Sequence, residues 1–134
     1  MSMNKIIVTG GAGFIGSNLV KRLLDDGAEE ILVIDDFSTG KKENLHDSSK
    51  VHLIESKLED IEDLKSKFKG YDFCFHLAAG VGVQYIMDNL SDYLLTNIQG
   101  THIVFEACKV NNIPVMITST SEIYGTSKEE SWDE

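Results

Sequence analysis

The sequence has few basic residues and no long apolar run. Lysine and arginine together number 12 against 22 aspartates and glutamates, which gives a formal net charge of −10. This balance argues against nucleic acid or an anionic membrane as the main partner, because neutralising phosphates requires a basic surface. No apolar segment approaches the length of a membrane span, and the first residues lead directly into a predicted strand. We therefore expect a soluble, cytosolic protein with neither a nucleic-acid nor a membrane partner.

Cysteine is almost absent as well. The two cysteines, Cys74 and Cys108, lie in apolar segments and have neither Cys-x-x-Cys nor metal-ligand spacing. This pattern favours reduced core thiols over a disulfide, which is the less favoured alternative, and it predicts no metal site.

Short apolar runs recur along the chain at the spacing of strands. The predicted strands cover residues 6–9, 30–35, 51–55, 73–77 and 115–119. Segments of crossover length separate them, and this alternation is typical of a parallel sheet covered by helices. Hydrophobic residues make up 42% of the 134, which is enough for one domain with its own core. We expect residues 1–134 to form one domain with an α/β, doubly wound parallel-sheet fold.

The spacing of apolar residues predicts a helix between the third and fourth strands. Ile61, Leu64 and Phe68 share one helical face, and Gly70 stands just past the predicted end. Asp60 is predicted to cap this helix, with Asp63 as its partner in the first turn.

The longest predicted helix runs from about residue 91 to residue 110. It carries a broad apolar stripe, and Ser91 is its predicted N-cap. Pro114 then prevents the helix from continuing and opens the fifth strand. The polar, acidic tail from Gly125 onward is expected to be a loop or disordered.

A glycine-rich turn follows the first predicted strand. Gly10, Gly13 and Gly16 stand three residues apart, between an apolar run at residues 6–8 and an amphipathic helix predicted over residues 18–24. Residues without a Cβ atom permit a tight turn and a close approach to the backbone, and a helix N-terminus offers free N–H groups and partial positive charge. A strand, glycines and a helix in this order predict a site for the pyrophosphate of a dinucleotide.

An acidic pair ends the second predicted strand. Asp35 and Asp36 lie about 20 positions beyond the glycines, where a dinucleotide site needs a carboxylate for the adenosine ribose hydroxyls. A carboxylate there repels a 2′-phosphate, so the pair predicts NAD rather than NADP as the cofactor. The alternative is a glycine-rich loop followed by a solvated acidic turn.

Five motifs in this order carry a resemblance to a known family. They are TGGAGFIG (residues 9–16), DDFSTG (35–40), HLAA (76–79), TNIQGT (96–101) and STSEIYG (119–125). Together they resemble the extended short-chain dehydrogenase/reductases, in the branch of nucleotide-sugar epimerases and dehydratases. The resemblance spans the whole chain and implies a Rossmann-type sheet truncated after about five strands, NAD as cofactor, and a nucleotide-sugar substrate for the full-length enzyme. It also implies that the family's C-terminal substrate domain is absent here.

The resemblance implies cofactor contacts for residues of several motifs. Gly10, Gly13, Phe14, Ile15 and Gly16 would line the pyrophosphate, Asp35 and Asp36 would lie at the ribose, Ser38, Thr39 and Gly40 would close over the nucleotide, Leu58 would pack against the adenine, and Leu77, Ala78 and Ala79 would flank the cofactor. Tight packing is the alternative for the two alanines. Where the family has an acidic residue before the position of Leu58, this chain has Lys57, so that carboxylate acceptor for the adenine amino group is missing.

Asn97 and His76 each allow two interpretations. By resemblance Asn97 supports the geometry of the active site, but an amide that ties its helix to a neighbouring loop is equally consistent with the sequence. A single histidine at the end of a buried strand is more often a hydrogen-bonded core residue than a ligand or base, and this is the interpretation that we favour for His76.

By resemblance, the catalytic candidates in this chain are Thr120, at the end of the fifth strand, and Glu122, as an acid or base. Tyr124 and Lys128 have the spacing of the family's Tyr-x-x-x-Lys pair, which needs both side chains on one face of a helix. Tyr124 directly follows a strand, and the segment between the two residues, 125–127, forms helices poorly. We therefore do not assign them as that pair. The expected pair would lie beyond residue 134.

The sequence thus predicts the NAD-binding portion of a nucleotide-sugar epimerase, dehydratase or decarboxylase that is inactive alone. The alternative is a stand-alone NAD-binding or sensor module without catalysis. An exposed fifth strand and the stripe of the long helix further predict a homodimer or a larger assembly.

Overall fold

Five parallel strands form the centre of the molecule. In the computed structural model, which describes residues 4–80, 87–88, 90–120, 123 and 125, they are β1 (Lys5–Thr9), β2 (Glu30–Asp35), β3 (Val51–Glu55), β4 (Phe73–His76) and β5 (Val115–Ile117). Their order across the sheet is β3-β2-β1-β4-β5. The predicted parallel α/β sheet is therefore confirmed.

Helices connect the strands. They are α1 (Phe14–Asp25), α2 (Leu64–Lys67), α3 (Leu90–Leu94) and α4 (Thr101–Asn111), with a π-helical segment (Leu95–Gly100) joining the last two and 3-10 turns at Lys42–Asn44 and Leu58–Asp60. A left-handed Asn112 ends α4, two residues before Pro114.

Each face of the sheet is covered by its own core. One contains Ile7, Ile34 and Cys74 from the strands, packed with Phe68 and with Val104 of α4. The core on the other face contains Ile6, Val8, Ile31 and Val33 together with Val20 and Leu23 of α1. Strands β1 and β2 are buried on both sides because their apolar residues are continuous rather than alternating.

The order of the strands creates a crevice at the carboxyl ends of β1 and β4. After β1 the chain adds β2 and β3 on one side, and it then returns to place β4 on the other side of β1. The connections that leave β1 and β4 diverge at this switch point, where open α/β sheets bind their ligands. The crevice lies beyond Thr9 and His76, which are register partners in neighbouring strands.

The helical boundaries differ from the prediction in three places. Helix α1 begins at Phe14 rather than at residue 18. Ser91 does not cap the long helix, because Leu90 before it is already helical. Asp60 does not cap α2 either, since it belongs to a 3-10 turn, and Asp63 is the cap instead: its carboxylate accepts a hydrogen bond from the Ser66 N–H.

The apolar stripe of the long helix is only partly buried. Val104 and Cys108 lie in the core, whereas Leu94, Leu95 and Ile98 are exposed. The covered part faces the sheet, so the exposed part is available for another surface.

Candidate functional site

The glycine-rich turn joins β1 to α1 with almost no free space between its backbone segments. Gly10 has a φ of +69°, and a Cβ there would lie 2.8 Å from the Ala78 amide nitrogen. A Cβ on Gly16 would lie 2.2 Å from the carbonyl oxygen of Gly10. Both positions therefore require glycine for backbone reasons, independently of any ligand.

The N-terminus of α1 is open towards the crevice. Gly13 is its N-cap and brings no capping side chain, so the N–H groups of the first turn have no partner within the helix. The first two helical residues, Phe14 and Ile15, are 86% and 66% exposed. Free N–H groups and the positive end of the helix dipole make this a suitable place for a phosphate.

Asp35 binds two backbone segments of the site together. Its Oδ2 accepts a 2.8 Å hydrogen bond from the Ala12 N–H and its Oδ1 accepts one of 2.9 Å from the Phe37 N–H. The side chain is buried, with 8% exposure. Each carboxylate oxygen can accept a further hydrogen bond, so the geometry leaves acceptor capacity for ribose hydroxyls.

The segment after β2 lies against the glycine-rich turn. A Cβ on Gly40 would lie 2.9 Å from the Ala12 carbonyl carbon, and the Lys41 N–H donates to the Ala12 carbonyl at 3.2 Å. Asp36, Ser38 and Thr39 are exposed; the Asp36 carboxylate accepts a hydrogen bond from the Ser38 N–H at 2.9 Å. The segment therefore packs against the glycine-rich turn, and its contact with a nucleotide stays a prediction.

Sequence reasoning missed one residue of this segment. The Asn44 side-chain amide donates a 2.9 Å hydrogen bond to the same Ala12 carbonyl. Asn44 belongs to a polar stretch without a motif, so no signal in the sequence distinguishes it from its neighbours.

The connection after β4 forms the other wall of the crevice. Leu77 and Ala78 are half-buried and Ala79 is exposed. Asn97 binds this connection at Gly80: its Oδ1 accepts a 2.7 Å hydrogen bond from the Gly80 N–H, and its Nδ2 donates to the Gly80 carbonyl at 3.4 Å. Of the two interpretations of Asn97, the contacts are those of an amide that ties its helix to a loop, and that loop belongs to the candidate site.

Leu58, predicted to contact an adenine ring, is a core residue. It is 5% exposed, and a Cβ on Gly100 would meet its Cδ1 at 3.4 Å. Packing alone explains an apolar side chain at this position, and little of its surface is left for a ligand.

Of the two catalytic candidates, the structure describes Thr120. Thr120 is exposed beyond the end of β5, and its carbonyl accepts a hydrogen bond from the Ile123 N–H at 3.3 Å. Glu122, Tyr124 and Lys128 lie outside the described residues. The catalytic roles of Thr120 and Glu122 remain predictions.

His76 is a hydrogen-bonded core residue, as favoured from the sequence. It is 2% exposed; its Nδ1 lies 2.7 Å from Thr9 Oγ1 and its Nε2 lies 2.9 Å from Thr101 Oγ1. Burial lowers the pKa of its imidazole from 6.5 to about 4, so the ring is neutral at physiological pH.

This lowered pKa predicts a loss of stability in mild acid. As the pH falls below 6.5, the unfolded chain takes up a proton at His76 before the folded chain does, and the loss is complete below pH 4. A gap of this size corresponds to about 3 kcal/mol of unfolding free energy. Urea unfolding between pH 7 and pH 4 should show a steeper decline for the wild type than for His76→Asn. Equal declines would contradict the prediction.

Within the parts of the chain that the structure describes, no group of three or more His, Cys, Asp or Glu side chains is placed to hold a metal ion. No helix there has both the length and the apolar character needed to cross a membrane. Cys74 and Cys108 are buried free thiols. A hydrogen bond to Cys108 and burial raise the pKa of the Cys74 thiol.

A parallel sheet with a glycine-rich turn after its first strand and a bridging carboxylate after its second defines a dinucleotide-binding domain of the Rossmann type. The chain belongs to the NAD dependent epimerase/dehydratase family, whose profile matches residues 6–134. NAD is therefore the cofactor of its family, as the sequence predicts.

Individual relatives share both sequence and fold with this chain. UDP-glucuronic acid decarboxylase 1 of Arabidopsis thaliana is 36% identical over 124 residues, which cover 90% of this chain and 27% of that protein. UDP-N-acetylglucosamine 4-epimerase from Methanobrevibacter ruminantium, solved with UDP-N-acetylmuramic acid, has a TM-score of 0.89 at 36% identity. The match covers 100% of this chain and 43% of the epimerase chain. The Bordetella bronchiseptica enzyme WbmG, solved in complex with NAD, has a TM-score of 0.84 at 32% identity, and the match covers 96% of this chain and 41% of the WbmG chain. The chain thus spans less than half the length of these relatives.

Proposed function

We propose that this chain binds NAD in the crevice beyond β1 and β4, and that it forms the cofactor-binding portion of a nucleotide-sugar epimerase, dehydratase or decarboxylase. The observation that carries the proposal is the bridge made by Asp35, which fixes the glycine-rich turn to the segment after β2. The bridge holds the Asp35 carboxylate beside the turn that leads into the open N-terminus of α1, and this supports a common site for a ribose and a pyrophosphate. The names of the relatives support the substrate class, since they act on UDP-sugars.

Within this proposal, each part of the site has its own task. The first turn of α1 holds the pyrophosphate, Asp35 accepts from the ribose hydroxyls, and residues 77–80 border the nicotinamide half. Bound NAD would accept a hydride from the sugar carbon that bears a hydroxyl, while that hydroxyl gives up its proton to a base. Thr120 and Glu122 are proposed to stand near that hydroxyl, with Glu122 as an acid or base.

We further propose that the chain is inactive by itself. Thr120 and Glu122 do not supply the tyrosine and lysine that the family resemblance calls for, and we infer that those residues and the substrate domain lie outside residues 1–134.

The buried free thiols fit a reducing compartment such as the cytosol.

Calorimetric titration with NAD and with NADP tests the proposal. We expect NAD to bind and NADP to bind at least about tenfold more weakly, because Asp35 repels the 2′-phosphate. We also expect a UDP-sugar incubated with the chain and NAD to be recovered unchanged. Absence of NAD binding would refute the cofactor site, whereas conversion of the UDP-sugar would refute the inactivity of the chain alone.

Reading the gene beyond codon 134 separates this function from a stand-alone NAD-binding module. A continuous reading frame with a Tyr-x-x-x-Lys helix supports the enzyme. A stop codon supports the module, for which NAD binding would be the whole activity.

The exposed part of the long helix supports a homodimer within the same proposal. Leu90, Leu94 and Ile98 follow one another at a spacing of four residues and are 57%, 45% and 66% exposed. Such a spacing places them on one helical face, and a row of exposed apolar side chains of this kind marks an interaction surface.

Ile98→Lys is expected to dissociate this assembly. A charge in the apolar row must be desolvated on association, which costs more than the interface gains from one side chain. Sedimentation should shift from dimer to monomer, with the thermal midpoint of the monomer unchanged. Val110→Lys is the control, because Val110 is also exposed, at 58%, but lies near the C-terminal end of α4, away from Leu90, Leu94 and Ile98. A wild-type chain that sediments as a monomer at high concentration would contradict the prediction.

A further inference from the structure

A series of hydrogen bonds, buried at its centre, runs from the long helix to the wall of the proposed cofactor site. The Thr101 hydroxyl at the start of α4 contacts His76 Nε2 at 2.9 Å, and His76 Nδ1 contacts the Thr9 hydroxyl at 2.7 Å. The Thr9 hydroxyl then accepts a 3.2 Å hydrogen bond from the Ala78 N–H. Three side chains from β1, β4 and α4 therefore connect in series to one backbone amide of the crevice.

The chemistry of the hydroxyl groups fixes the direction of these bonds. The Ala78 N–H can only donate, so the Thr9 oxygen is its acceptor. Thr9 is fully buried, and within the described residues His76 Nδ1 is the acceptor in reach of its hydroxyl proton. Nδ1 is then unprotonated, and the neutral ring carries its proton on Nε2 and donates it to Thr101.

Ala78 lies where the two walls of the crevice meet. Its amide nitrogen would be 2.8 Å from a Cβ on Gly10, so the connection after β4 and the glycine-rich turn touch without a side chain between them. A displacement of Ala78 by a few tenths of an ångström changes the space available beside the turn. The position of this amide therefore affects how a ligand fits in the crevice.

We propose that His76 is a positioning residue of the NAD site, which acts through Thr9 to hold the Ala78 backbone at the distance from Gly10 that the cofactor requires. This rests on the proposed function, since it assigns a role within the same site. Two residues further along the same connection, Asn97 binds Gly80 through its side-chain amide. The helical stretch that carries Asn97 and Thr101 thus anchors both ends of residues 78–80.

Two substitutions at His76 separate positioning from packing. His76→Leu keeps an apolar body in the core but removes the acceptor for the Thr9 hydroxyl. His76→Asn places an amide oxygen near the position of Nδ1 and can restore that acceptor. Val104→Ala is the matched control, because it opens a cavity in the core beside α4 without a group in the hydrogen-bond series.

Amide hydrogen exchange at Ala78 and NAD affinity are the two measurements. In His76→Leu we expect the Ala78 amide to exchange about tenfold faster than the variant's loss of global stability accounts for. We also expect the NAD dissociation constant to rise about three- to tenfold. His76→Asn should recover most of both, and Val104→Ala should change neither beyond its effect on global stability. The nitrogen chemical shifts of the wild-type ring should show a proton on Nε2 alone.

Each outcome bears on the proposal. Equal exchange at Ala78 in His76→Leu and Val104→Ala, or a ring protonated on Nδ1, would overturn it. If His76→Leu does not fold, Thr101→Val replaces it, and an unchanged exchange rate at Ala78 in that variant would overturn it as well. The exchange measurement needs no ligand, so failure of the wild type to bind NAD refutes the proposed function and leaves the test of the hydrogen-bond series in place.

Discussion

Gly16→Ala is expected to destabilise the fold and to remove NAD binding together. The added Cβ would lie 2.2 Å from the carbonyl oxygen of Gly10 and 2.7 Å from the Gly11 Cα. Both are backbone atoms, so no side-chain rotation can relieve the clash. The turn must open and α1 must shift away from β1. We expect a loss of about 4 kcal/mol in the free energy of unfolding, because overpacking against backbone exceeds the usual range for side chains. Denaturant unfolding and calorimetric titration with NAD would measure the two effects.

Gly13→Ala is the matched control for this substitution. A Cβ at Gly13 would meet the Gly10 carbonyl oxygen at 3.4 Å, an ordinary contact, and the φ of −71° suits alanine. We expect a stability loss of about 1 kcal/mol, typical of alanine at an N-cap, while NAD affinity falls at least about tenfold since the methyl group occupies space beside the phosphate site. Equal destabilisation by the two substitutions would contradict the assignment of Gly16 to packing and Gly13 to ligand access.

Asp35→Ala is expected to have the second largest effect. The substitution leaves the Ala12 N–H and the Phe37 N–H without their acceptor, and the former is buried. Two unsatisfied donors cost about 3 to 4 kcal/mol of stability at about 1 to 3 kcal/mol each, with the more exposed one at the lower end. Loss of the ribose acceptor should in addition weaken NAD binding by about a hundredfold, in the range of a lost hydrogen bond to a charged group.

Asp36→Ala tests whether this effect belongs to Asp35 alone. Asp36 is exposed and accepts a single hydrogen bond from the Ser38 N–H. We expect a change in stability below about 0.5 kcal/mol, as for surface substitutions in general. NAD affinity that falls equally in both variants would contradict the central role of Asp35. No loss in either would remove the proposed cofactor site.

Some strands could be predicted from the sequence to the residue, and others could not. The predicted bounds of β2 and β3 match the structure because the apolar residues of each strand end at an acidic residue, Asp35 in β2 and Glu55 in β3. Strand β5 was predicted to reach residue 119 but ends at Ile117. The reason lies in its partner: β4 ends at His76, which pairs with Ile117, so no further parallel partner is available there.

The helix before β4 shows why caps are harder to predict than helices. Asp60 and Asp63 both have the chemistry of an N-cap, and local sequence favours the earlier one. Burial of Leu58 against the long helix holds residues 58–60 in a 3-10 turn, so the α-helix starts only after Asp63. Tertiary packing made a choice that local propensity left open.

The candidate site divides in the same way. The sequence by itself determined the glycine spacing, the carboxylate after β2 and the small residues after β4, because each is a local requirement of a strand that ends at a turn. Only the tertiary structure decided that Asn44 holds the Ala12 carbonyl, that Leu58 is buried, and that Thr101 connects through His76 to Ala78. These contacts join residues distant in the chain, and the order of the strands brings them together. Hydrogen-bond partners of this kind have no local pattern, since any polar side chain at the right place in space can make the bond.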